Sequence, residues 1–180
     1  MTLEQEKHLQ ELLWEWRDER HLTFQDQMDG LVGNLCEEMA EYYRATNDDE
    51  KIDALCDMCV LALNSFCCGL KDAREYFEKR EKPIMDKFLF IRAFGLIQEM
   101  GIGTHTLVKF LYLFIKEIES EMSVMGYDFY KCMLETIKEI SSRTGYYDEN
   151  IHKFVKDKSD EAVKKWYKAD YEKCKIKDKK

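Results

Sequence analysis

Pro83 is the only proline in the chain, and glycine occurs just eight times in 180 residues. With so few breakers among long runs of helix formers, an all-α fold is the default. The apolar residues keep helical spacing. Leu9, Leu12, Leu13 and Trp16 mark one side of a first helix over residues 3–20. A second helix starts behind the N-cap candidate Thr23, with the stripe Phe24, Met28, Leu31, Leu35, Met39 and Tyr42. The polar turn 46–49 offers Asn47 or Asp48 as the cap of a third helix, expected from Glu50 to about residue 70. Further helices are expected over residues 71–81, 84–100, from 104 or 105 onward, and 128–140, with a turn at 101–103. After residue 141 the chain turns irregular and basic, with 152–156 extended and a short helix over 159–171. The expected architecture is one domain over 1–180, a bundle of four or more helices with the second and third antiparallel. Residues 20–140 form its core and 141–172 close over it.

The third helix carries the chemistry. It is apolar nearly all round, which indicates burial, yet Glu50, Asp53, Asp57 and Asn64 fall within roughly 60° on a wheel of 3.6 residues per turn. On the second helix, Asn34, Glu37, Glu38 and Glu41 form a band along the edge of the apolar stripe. Three- and four-residue steps bring Glu38 and Glu41 onto one face. Like charges on a buried face repel and are expensive to desolvate unless a cation lies between them. Carboxylate oxygens of this kind suit Mg²⁺, with Mn²⁺ as an alternative. Glu38, Glu41, Glu50, Asp53 and Asp57 are therefore candidate metal ligands. Glu37, turned roughly 100° from Glu38, is a candidate for orienting a water molecule or for a second metal. Asn34 and Asn64 are candidates for supporting hydrogen bonds; Asn64 reads equally well as a buried amide.

A net charge of −8 argues against general nucleic-acid binding, but the charge is unevenly spread. Residues 151–180 carry eleven lysines against six acids, a net +5, and the first 150 residues a net −13. Such a basic end is either solvated or closes over an anionic ligand. The seven cysteines are odd in number, and Cys56-x-x-Cys59 has neither a second such pair nor the histidines of a zinc site. Buried, reduced thiols are the simpler reading. The acidic start has no apolar signal-type region, and the longest apolar run, 58–70, is too short to span a bilayer. A cytoplasmic protein without a membrane partner is expected. Glu149-x-x-His152 has the spacing of half a di-iron site but lacks its second half.

The sequence Glu37-Glu38-Met-Ala-Glu41, followed by Glu50-Lys-Ile-Asp53 and Asp57, resembles the acidic motifs of MazG-like all-α nucleoside triphosphate pyrophosphohydrolases. The continuation Asp53-Ala-Leu-Cys-Asp57 into an apolar helix looks like the phage and bacterial branch similar to phosphoribosyl-ATP pyrophosphohydrolase. Ser141-Ser-Arg143, Lys153-x-x-Lys156 and Trp166-Tyr167-x-x-Asp170 are similar to the basic closing segment of that branch. The resemblance covers residues 24–66 well, 127–171 moderately, and the middle weakly. It implies Mg²⁺-dependent cleavage of a nucleotide between the α- and β-phosphates, to give a nucleoside monophosphate and pyrophosphate, in nucleotide-pool sanitation. It also implies Glu37 and Glu38 as catalytic residues, phosphate binding by Arg143, Lys153 and Lys156, and assembly as a homodimer or homotetramer. The base would rest against Trp14, Trp16 or Tyr42. Either Asp53 or Asp57, or both, would meet the metal. The alternative is a non-catalytic helical protein–protein interaction module whose acids form a docking surface.

Overall fold

The computed structural model describes residues 1–65, 74–75 and 105–177. The helices expected over 71–81 and 84–100 and the turn at 101–103 lie outside the described residues, apart from Arg74 and Glu75. The remainder is mostly helical: α1 (Leu3–Glu19), α2 (Phe24–Arg44), α3 (Asp48–Asn64), α4 (His105–Val124) and α5 (Phe129–Ser142). A two-stranded antiparallel hairpin follows, β1 (Gly145–Asp148) and β2 (Lys153–Lys156), then a single turn α6 (Asp160–Val163) and a 3₁₀ turn, Tyr171–Cys174. No described helix is long and apolar enough to cross a membrane.

Side chains set the helix starts. Thr2 with Gln5, and Thr23 with Asp26, form capping boxes in which each side chain satisfies the other residue's backbone amide. Asn47 caps α3 by accepting from the Glu50 amide, and Asp128 caps α5 by accepting from the Lys131 amide. The link between α2 and α3 is only residues 45–47, so the two helices pack along one another. α3 is the central element, touching α1, α2, α4 and α5. Its Ile52, Leu55, Met58, Cys59 and Leu63 are buried among Leu9, Leu13, Leu31, Leu35, Leu111, Ile115, Met133 and Ile137. Each such large side chain contributes about 1.5–3 kcal/mol by leaving water. Its near-uniform apolarity is therefore the mark of a core helix rather than a surface one. Cys56, Cys59, Cys132 and Cys174 are buried free thiols, and Cys36 is an exposed one.

The end of the chain departs from expectation in two ways. Residues 145–156 form a hairpin with Gly145 opposite Lys156 and Asp148 opposite Lys153, where only the second strand was expected to be extended. The helix expected over 159–171 stops after Val163. The reason lies in where the later amides go. Tyr167 N–H donates to Ser142 Oγ (2.8 Å), Ala169 N–H to Glu139 Oε2 (2.8 Å) and Asp170 N–H to Glu135 Oε2 (3.0 Å). Those donors are spent on α5 side chains, so no helical ladder forms. The segment is a strap along α5. Its far end is fixed where Asp128 N–H donates to the Cys174 carbonyl and Ile176 N–H to the Gly126 carbonyl, both at 2.8 Å.

Candidate functional site

One face of α2 forms the floor of a cleft of about 340 Å³. Asp26, Gln27, Gly30, Asn34, Glu37 and Glu38 line it in steps of one, three and four residues. At 1.5 Å per residue they mark out a length of about 18 Å. One wall comes from α3, with Asp57, Val60 and Leu61. The other comes from the end of α5 and the hairpin, with Ile140, Arg143, His152, Lys153, Phe154 and Lys156. Trp16, Arg20 and Leu22 close the end. Acidic residues from α2 and α3 and basic residues from α5 and the hairpin thus line one cleft, whose volume lies in the size range of small-molecule sites.

The acidic part of the cleft is under electrostatic strain. Burial, then the negative charges of Asp57, Glu41 and Asp53, pushes the Glu38 carboxyl up to about 8, with Lys156 pulling the other way. Burial and then Asp53 push Asp57 up to about 7, against the pull of Arg143 and Lys156. Lys156 is lowered from its ordinary value by desolvation and by Arg143, while Asp57 and Glu38 pull it back. These mutual influences show that Glu38, Asp57, Arg143 and Lys156, from four different parts of the chain, share one electrostatic neighbourhood. A carboxylate pair that resists ionisation beside two more carboxylates has the donor chemistry of a hard-cation site. Among the described residues, no three carboxylate, imidazole or thiol groups yet stand around one point at coordinating range. The fit therefore rests on the donor set and its unmet charge.

The other expected residues divide. Glu37 and Asn34 line the cleft, as do Arg143, Lys153 and Lys156. Glu41 and Asp53 do not line it, but their charges act on Glu38. Asp53 Oδ1 accepts a 2.7 Å hydrogen bond from the Tyr171 hydroxyl. Glu50 is elsewhere: it is exposed, and its Oε2 accepts from the Thr46 amide (2.7 Å) and the Thr46 hydroxyl (3.0 Å). Those bonds hold its carboxyl below the ordinary value. Asn64 is fully buried away from the cleft, and its carboxamide makes no hydrogen bond among the described residues. Of the three aromatic candidates for a base, Trp16 lines the cleft and Trp14 and Tyr42 do not.

Sequence reading missed the residues that hold the basic wall. Arg20 is buried; its Nη2 donates to the carbonyls of Ile140 (3.1 Å), Ser141 (3.2 Å) and Arg143 (3.3 Å). Its guanidinium lies 4.7 Å from the Trp16 ring centroid and 5.1 Å from that of Phe154. Glu139, also buried, accepts from Arg143 Nη2 at 2.8 Å and from the strap at the Ala169 amide. Burial alone would raise Glu139, but that amide, Arg143 and Lys168 hold it below the ordinary value. At the cleft's far end the Tyr147 hydroxyl meets Asp26 Oδ2 (3.3 Å) and His152 Nδ1 (3.1 Å), joining the hairpin to the start of α2. These partners are more than a hundred residues apart in most cases, so local spacing carries no trace of them.

Comparison with protein-family models, with curated proteins and with solved structures returned no match to this chain.

Proposed function

We propose that this chain is a Mg²⁺-dependent nucleotide pyrophosphohydrolase. It would cleave (d)NTPs between the α- and β-phosphates to give (d)NMP and pyrophosphate, in nucleotide-pool sanitation. The observation that carries the reading is the cleft itself, with Glu38 and Asp57 opposite Arg143 and Lys156. The MazG-like spacing of the two acidic motifs supports it, and in this reading α2 and α3 run antiparallel as that fold requires.

Glu38, Asp57, Asp53 and Glu41 would hold Mg²⁺, or Mn²⁺ in its place. When bound, the ion supplies positive charge that neutralises phosphate oxygens and lowers the pKa of a bound water. Arg143, Lys153 and Lys156 bind the phosphates from the opposite wall and spread the charge that develops as the anhydride breaks. Glu37, next to Glu38 on the floor of the cleft, orients the attacking water. That water adds to the α-phosphorus and releases a proton to solvent, the α–β bridging P–O bond breaks, and pyrophosphate leaves with the bridging oxygen. The nucleoside end rests toward Trp16. A cytoplasmic setting, and the homodimeric or homotetrameric assembly that the MazG-like resemblance implies, belong to the same proposal.

The test is a panel of NTPs and dNTPs, with Mg²⁺, Mn²⁺ or EDTA, assayed separately for pyrophosphate and orthophosphate. The expected outcome is pyrophosphate formed only with metal and lost in Glu38→Gln. If no nucleotide turns over with either metal, the enzyme reading fails and the acidic face is better read as a docking surface for a partner protein.

A further inference from the structure

Tyr171 belongs to the strap, more than a hundred residues from the acidic motifs in sequence, yet it is buried with 4% exposure between α3 and α5. Its hydroxyl lies 2.7 Å from Asp53 Oδ1 and 2.9 Å from Thr136 Oγ1. Thr136 Oγ1 in turn lies 3.0 Å from the Cys132 carbonyl within α5. An ionised carboxylate only accepts, so the phenol proton points at Asp53. The Thr136 hydroxyl then donates to the Cys132 carbonyl or to the phenol oxygen. The phenol, placed between Asp53 and the Thr136 hydroxyl, thereby holds the Asp53 carboxylate against α5. Its Oδ1 is occupied, and no hydrogen bond reaches Oδ2 among the described residues.

We propose that Tyr171 is the positioning residue of the metal site, holding the Asp53 carboxylate in one orientation so that Oδ2 is the oxygen presented to a divalent cation. The inference rests on the reading of Asp53 as a ligand. The strap extends the effect to the other wall. Two residues before Tyr171, the Ala169 amide donates to Glu139, whose other oxygen accepts from Arg143 Nη2 at 2.8 Å. One short segment therefore sets Asp53 directly and Arg143 through a single carboxylate. Carboxylates that bind metals are commonly fixed by such outer partners, and removing one typically weakens metal binding about ten- to hundredfold.

The test is a titration of the full chain with Mn²⁺, followed by electron paramagnetic resonance of the free ion, on wild type, Asp53→Asn, Tyr171→Phe and Thr136→Val. Tyr171→Phe keeps the buried ring and removes only the hydroxyl. It is expected to weaken Mn²⁺ binding about ten- to hundredfold and to raise the half-activating metal concentration in step. At saturating metal, kcat and the nucleotide KM should return to near wild-type values. Thr136→Val disturbs the same packing but leaves the Tyr171–Asp53 bond, so its Mn²⁺ affinity should stay within about twofold of wild type if the bond to Asp53 is what matters. Equal Mn²⁺ affinity in wild type and Tyr171→Phe, with Asp53→Asn weakened, overturns the positioning role alone. Equal losses in Tyr171→Phe and Thr136→Val also overturn it, because they reduce Tyr171 to packing. If wild type binds no Mn²⁺, or Asp53→Asn binds like wild type, the metal-site reading falls and the inference falls with it.

Discussion

At the scale of single residues, Glu38 and Asp57 define what the cleft stores. Their carboxyls rise from ordinary values of 4.5 and 3.8 to about 8 and about 7. The folded chain therefore holds protons that the unfolded chain has already released. That stabilises the fold fully below about pH 4, and the contribution is lost as pH rises through 7 and 8. Asp57→Asn removes one of the repelling charges. In EDTA at pH 8.5 this variant should melt at or above the wild-type temperature, while at pH 5 the gap between the two should be smaller. A thermal melt at both pH values checks this; a variant less stable at pH 8.5 would mean that repulsion is not what the site holds. The same pair was legible in the sequence, because helical period alone brings Asp57 onto the stripe of Asp53 and α2 offers Glu38 along its edge. Glu50 shows the limit of that logic. It lies on the same wheel stripe, but it also stands in the first turn of α3, where unpaired backbone amides and the helix dipole attract carboxylates. The Thr46 amide and hydroxyl take it.

At the scale of elements, long helices were readable and short ones were not. Periodicity over four or five turns accumulates enough signal to locate α1, α2, α3 and α5, and caps at Thr23, Asn47 and Asp128 fix the starts of the last three. The strands are four residues each with no clean alternation of burial, so nothing in the pattern distinguishes them from loop. The hairpin is held instead by local chemistry. Asn150 N–H donates to Asp148 Oδ1 (2.9 Å), and His152 adopts a left-handed φ of 50°. Gly145 is required by close approach: a Cβ there would come within 2.2 Å of the Val155 carbonyl oxygen and 2.7 Å of the Phe154 ring. Both neighbours sit on the paired strand, and the nearer is backbone, so neither yields cheaply. Gly145→Ala should destabilise the hairpin by about 1–3 kcal/mol, as overpacking does. Hydrogen exchange of the Tyr146 and Val155 amides, which face one another in the ladder, should accelerate accordingly. Because the hairpin carries Lys153 and Lys156, nucleotide affinity should fall while Mn²⁺ binding is kept.

Across the whole molecule, an acidic body and a basic end are fastened together at a few buried polar joints, and Arg20 is the central one. It belongs to the close of α1, reaches the last carbonyls of α5, and lies between Trp16 and the hairpin's Phe154. The charge imbalance in the sequence shows that the two parts attract; it does not show where they meet, because the partners are some 120 residues apart. Long-range joints of this kind depend on three elements already packed, so no local window contains them. Arg20→Met retains most of the apolar stem and removes the guanidinium. The carbonyls of Ile140, Ser141 and Arg143 then lose a shared cationic donor in a setting that excludes water. Hydrogen bonds to charged groups are worth about 1.5–3 kcal/mol, so urea unfolding of Arg20→Met should show a loss of about that size. The damage should also be directional. Arg143 and the hairpin lose their anchor, so the nucleotide KM should rise, whereas Glu38, Asp53 and Asp57, held by α2, α3 and Tyr171, should bind Mn²⁺ as before. A variant with an unchanged urea midpoint would show that the basic wall is fastened elsewhere, through Glu139 and the strap alone.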